Sequence, residues 1–166
     1  MFNDGPNALA FSGVSEATPL DQGGENGRLP LKDEIGFVGL GRMGTAMAVN
    51  LAIAGHLVTA CVRRPEQMDR LVALGLKPTT DITSLFHCKV VITMLPDDAA
   101  VHDVVFGRED LGSRGLASGL KPGAIHLSMS TISTSAASEL AAEHLKSGQG
   151  YVAAPVFGRP EAAVAA

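Results

Sequence analysis

Gly39-Leu40-Gly41-Arg42-Met43-Gly44 carries the spacing G-x-G-x-x-G directly behind the apolar run Ile35–Val38. Between a strand and a helix, such glycines make a site for a pyrophosphate. The first allows the tight turn, the second lets backbone approach the phosphates, and the third lets the helix pack close to the strand. The phosphates would lie against N–H groups at the positive end of the helix dipole. About twenty residues on, NAD-selective folds place an acid that holds the ribose 2′-hydroxyl. Arg63 and Arg64 stand there instead. A guanidinium is a planar fork that matches phosphate, so the pair favours a 2′-phosphate, and NADP over NAD. The plainer reading is two solvated charges ahead of a helix. Further along, the run Ser130-Thr131-Ile132-Ser133-Thr134-Ser135 concentrates hydroxyls. They either donate to a carboxylate without burying a second charge or cap a helix.

Alternating strands and helices must position these groups. Strands are expected near 35–39, 57–62, 77–79, 89–95, 124–129 and 150–156. Helices are expected near 42–54, 65–74, 81–86, 97–106, 109–118 and 133–147. The first helix should bury Met43, Met47, Leu51 and Ala54 along one stripe. Pro65 suits a first helical turn, Gly55 and Gly75 suit helix ends, and Asp97 or Asp98 suits a cap. This alternation predicts an α/β fold: a Rossmann-type doubly wound parallel sheet in three layers, strand order 3-2-1-4-5-6, with the ligand across the strand ends at the switch point.

Residues 1–33 read as a flexible, disordered leader, within which Asn7–Val14 is the piece apolar enough to dock, and residues 34–166 as one NAD(P)-binding domain. The first 34 residues hold six acids and two bases, and the remainder balances eleven against eleven. That leaves no basic field for nucleic acid or a membrane surface, so small-molecule partners are expected. Cys61 and Cys88 are far apart and read as small hydrophobes rather than a disulfide or a metal site. No apolar run approaches the ~18 residues of a membrane span, and the N-terminus has no signal pattern; cytoplasmic is the expectation. The histidines show no ligand spacing. His56 falls in a turn, His87 before a buried strand, His126 in a strand, and His102 and His144 on helix surfaces.

Four blocks in order resemble the β-hydroxyacid dehydrogenase family, which includes 3-hydroxyisobutyrate and 6-phosphogluconate dehydrogenases. Gly39–Gly44 looks like its G-L-G-x-M-G, and Val90–Pro96 like its fourth strand and cofactor-facing loop. Met129–Ser133 resembles its substrate-facing segment, and Ala154-Pro155-Val156 the start of its A-P-V-S-G-G. The resemblance implies that Gly39, Leu40, Gly41, Arg42, Met43 and Gly44 bind the pyrophosphate, and that Arg63 matches the Arg of the family's Asn-Arg-Ser/Thr with Arg64 replacing the hydroxyl residue. It implies that Met94, Leu95 and Pro96 line the ribose and nicotinamide, that Ser130 holds the substrate carboxylate or hydroxyl, and that Thr131 lies between substrate and nicotinamide.

Two departures matter. Phe157-Gly158-Arg159 replaces Ser-Gly-Gly, which alters the substrate side; Arg159 would pair with a carboxylate or stay a surface charge. The family's catalytic lysine lies in a following helical domain, and none of Lys32, Lys77, Lys89, Lys121 and Lys146 matches it. The expected function is the NADP-binding domain of an oxidoreductase that moves hydride between NADP(H) and a 3-hydroxyacid or related carbonyl. The chain alone is expected to be inactive, without catalytic or metal-binding residues of its own. The alternatives are a non-catalytic NADP-binding module, dimerising at its open strand edge and acting through a partner, and a domain of an imine-reductase-like enzyme.

Overall fold

A computed structural model describes residues 33–108, 113–158 and Ala163. The leader reading, the Asn7–Val14 docking piece and Arg159 lie outside the described residues.

The main sheet has six parallel strands: β1 (Glu34–Val38), β2 (Leu57–Cys61), β3 (Lys77–Thr79), β4 (Val90–Thr93), β7 (Ile125–Ser128) and β8 (Gly150–Ala153). Their order, β3-β2-β1-β4-β7-β8, is the expected doubly wound order. Two short strands, β5 (Gly107–Arg108) and β6 (Ser113–Arg114), pair antiparallel outside it. Parallel strands carry helices on both faces and are therefore mostly apolar, with Thr59, Thr93, His126 and Ser128 as buried polar exceptions. In β1, Ile35 and Phe37 enter one core with Ala48, Val58, Ala60 and Leu71, and Val38 enters the opposite one with Leu85, Val91 and Leu116.

The helices are α1 (Arg42–Ile53), α2 (Met68–Ala73), α3 (Asp98–Phe106), α4 (Leu116–Gly119) and α5 (Thr134–Lys146). Pro65 opens a 3₁₀ turn, Pro65–Gln67, that leads into α2, and a second 3₁₀ turn, Ile82–Leu85, replaces the helix read near 81–86. Of the helix read near 109–118, residues 109–112 lie outside the described residues, Ser113–Arg114 form β6, and Leu116–Gly119 make the single turn α4. In α1 the fully buried residues are Gly44 and Ala48, Met47 and Leu51 are partly buried, and Ala54 is exposed. The buried stripe is thus rotated by one position from the expected one. Its cause is contact: the smallest side chains face β1 because the helix sits against backbone there.

No described helix is long and apolar enough to cross a membrane.

Candidate nucleotide site

Gly39 holds φ of +98°, and a Cβ there would collide with the carbonyl of Met94. A Cβ at Gly44 would collide with the carbonyl oxygen of Gly39. These two glycines are needed by the fold itself. Gly41 differs: a Cβ there would meet nothing within 4 Å. The turn therefore leaves open space over the start of α1. That helix begins at Gly41 with no side-chain cap and no acid in its first turn. By contrast, α3 is capped by Asp97, which accepts from Ala100 N–H at 2.8 Å, and α5 by Ser133, which accepts from Ala136 N–H at 3.2 Å. An uncapped helix start above an open glycine turn is the arrangement an anion completes. A dinucleotide diphosphate fits this cradle.

Leu40 and Met43 are half-buried, and Arg42 is exposed at the mouth of the turn. Val38 is in register with Cys61, so the ends of β1 and β2 are adjacent. Arg63 and Arg64 follow at that same end, both exposed, and neither side chain has a polar partner among the described residues. Met94 and Leu95 are half-buried and Pro96 is exposed at the end of β4. Met94 N–H donates to Val38 O at 2.9 Å, and Met129 N–H donates to Thr93 O at 2.9 Å. The phosphate turn, the Met94–Pro96 loop and the Ser130–Thr131 segment thus share one lip.

Ser130 is 2% exposed, and its Oγ accepts from Leu95 N–H at 2.8 Å. Its hydroxyl proton is left to donate elsewhere. Thr131 is exposed beside it. Neither residue caps α5, because Ser133 does. Asp98 carries a contact that sequence reading missed: it accepts from Ser133 N–H at 2.9 Å and from Ser133 Oγ at 2.6 Å. These bonds hold its carboxyl below the usual carboxylate range and tie α3 to α5. Replacing Ser130 by Ala would strand the Leu95 N–H. The expected cost is about 1–3 kcal/mol of stability, read from urea unfolding.

His144 is a correction. It is fully buried rather than on a helix surface, because it follows Leu140 by four residues on the inner stripe of α5. Burial lowers its pKa, and it lowers that of His126 to about 3. Among the described residues no group of three or more His, Cys, Asp or Glu is arranged to hold a metal ion.

The chain is 41% identical over 134 residues to the uncharacterized oxidoreductase YfjR of Bacillus subtilis, covering 80% of this chain and 45% of that one. It superposes on the 3-hydroxyisobutyrate dehydrogenase of Mycobacterium tuberculosis with a TM-score of 0.70 and 30% identity, over 81% of this chain and 44% of the other. It also superposes on Psf3, solved with NADP+ and 2-OPP, with a TM-score of 0.72 and 32% identity, over 79% and 45% of the two chains. The chain therefore spans under half the length of these relatives. Residues 34–166 match the family described as the NAD binding domain of 6-phosphogluconate dehydrogenase, and the chain belongs to that family.

Proposed function

We propose that residues 34–166 form one unit that binds NADP in preference to NAD and serves an oxidoreductase moving hydride between NADP(H) and a 3-hydroxyacid or related carbonyl. The observation that carries this reading is the open space at Gly41 over an uncapped, acid-free helix start. The diphosphate takes the Gly39–Gly44 turn and the first N–H groups of α1. Arg63 and Arg64 grip the 2′-phosphate. Met94, Leu95 and Pro96 hold the ribose and nicotinamide side, and Ser130 and Thr131 offer hydroxyl protons to a carboxylate-bearing substrate. The nicotinamide, when bound, supplies the hydride chemistry; the chain supplies orientation. A general acid is not among these residues, so the chain alone turns over nothing. Phe157 is 92% exposed and stands where the family carries a serine. It favours an imine-type substrate with an apolar arm as the second reading.

Titration with NADPH and NADH in parallel tests the cofactor assignment. Arg63→Ala and Arg64→Ala together are expected to weaken NADPH about tenfold or more and leave NADH unchanged. A preference for NADPH that survives both changes would refute the 2′-phosphate role. Hydroxyacid oxidation by the purified chain would refute its inactivity.

A further inference from the structure

Behind the lip runs a buried polar chain that the nucleotide reading does not use. Thr93 Oγ1 lies 2.9 Å from His126 Nε2, and His126 Nδ1 lies 2.9 Å from His144 Nε2. His144 Nδ1 lies 2.6 Å from Gln149 Oε1. Gln149 Nε2 donates to the carbonyls of Ala117, at 3.0 Å, and Leu120, at 2.7 Å. Thr93, His126 and His144 are fully buried, and Gln149 is 6% exposed.

The direction of every bond follows from the far end. Two carbonyls fix the Gln149 amide nitrogen as the donor, so its oxygen accepts, and His144 Nδ1 must carry a proton. A neutral imidazole has one donor and one acceptor. His144 Nε2 therefore accepts, which puts the His126 proton on Nδ1. His126 Nε2 then accepts from the Thr93 hydroxyl. Full burial disfavours charge on either ring, and with both neutral each is held as the Nδ1–H tautomer.

Thr93 is the last residue of β4. Its carbonyl takes the Met129 N–H, and the next amide, of Met94, binds Val38 O just ahead of Gly39. The chain thus ends at the joint between all three parts of the lip.

We propose that Thr93, His126, His144 and Gln149 form a one-way hydrogen-bond chain that positions the lip of the nucleotide site, with Thr93 as its positioning residue. The effect on cofactor affinity rests on the nucleotide-binding reading; the chain itself does not. Several titratable or charged groups face the rings. Tyr151 on β8 stacks on His144 at 5.7 Å and 8° and meets His126 edge-on. Glu143, on α5, acts on His144 through its charge, and Lys146, on the last turn, is engaged by Glu143 at 2.8 Å. The described residues of α3 and α4 present apolar side chains here, Val101, Val105, Leu116 and Ala117.

The test uses the 166-residue chain. Nitrogen-15 spectra of the histidine rings at neutral pH are expected to show both Nδ1 atoms protonated and both Nε2 atoms bare. Thr93→Val keeps the shape and removes the hydroxyl. It is expected to shift the backbone amides of Met94, Leu95, Ser130 and Thr131 and to weaken NADPH about three- to tenfold; Thr93→Ser restores both. His144→Phe keeps an aromatic ring beside Tyr151 and is expected to shift the same lip amides. An Nε2–H tautomer on either ring would overturn the proposal. So would unmoved lip amides in both Thr93→Val and His144→Phe alongside a lowered melting temperature. If the unaltered chain binds no nucleotide, the nucleotide reading fails, while the ring and amide signals still decide the hydrogen-bond chain.

Discussion

Gly41→Ala is expected to leave stability unchanged within about 0.5 kcal/mol and to reduce nucleotide affinity by about a hundredfold, whereas Gly44→Ala is expected to destabilise the fold itself. The three glycines of one motif are separable because different things oppose a methyl group at each. At Gly44 it would enter the carbonyl oxygen of Gly39. That atom is backbone and cannot rotate away, so α1 must lift from β1. Overpacking of this kind costs about 1–3 kcal/mol, and a rigid neighbour puts it at or above the upper end. At Gly41 the methyl meets nothing within 4 Å. The space it takes is the space a diphosphate would occupy, so the loss falls on binding. Urea unfolding and NADPH titration on both variants read the two effects. Unchanged NADPH binding in Gly41→Ala would place the phosphates elsewhere.

The same locality explains what the sequence made legible. The glycine turn and the caps at Asp97 and Ser133 follow from residues near one another in the chain, where propensity and short-range hydrogen bonding decide, and the strand order follows from the strand–helix alternation through the handedness of its crossovers. The strands fell within a few residues of their observed ends; β8 stops at Ala153, three residues early, with Pro155 just beyond it. The α1 stripe departs from its expected position because methionine and leucine spacing says nothing of how closely backbone approaches backbone. His144 departs from expectation because a polar residue in an alanine-rich helix looks solvated, yet it is fully buried. A signal was available: four residues after Leu140 it shares the inner stripe, while Leu145 points outward at 76% exposure. What made its burial tolerable, Gln149 and His126, lies on other elements and appears only once the sheet is assembled. Ser130 repeats the lesson, since its bond to Leu95 N–H joins residues 35 positions apart.

Those two buried rings make the fold acid-sensitive in a window that carboxylates do not explain. Between pH 7 and pH 4.5 the chain is expected to lose about 2–3 kcal/mol of stability through His126 alone, with His144 adding to the loss. The sign follows from which state binds protons. In the unfolded chain a histidine protonates near 6.5, but burial and the neighbouring His144 hold folded His126 near 3. The unfolded state therefore takes up the proton first. The stabilising effect of keeping the ring neutral is complete above about pH 6.5 and is lost as pH falls toward 3. Asp81, Asp98 and Glu34 are held below the ordinary carboxylate range, so their contribution persists to lower pH and fades as pH falls below about 4. Urea unfolding at pH 7, 6, 5 and 4.5 at constant ionic strength checks the slope. His126→Gln keeps a donor and an acceptor without a titrating ring, so it should flatten the slope even if it lowers stability at pH 7. A loss below about 1 kcal/mol over this range in the unaltered chain would mean that folded His126 titrates close to its unfolded value, and the acid-sensitivity assigned to its burial would be wrong.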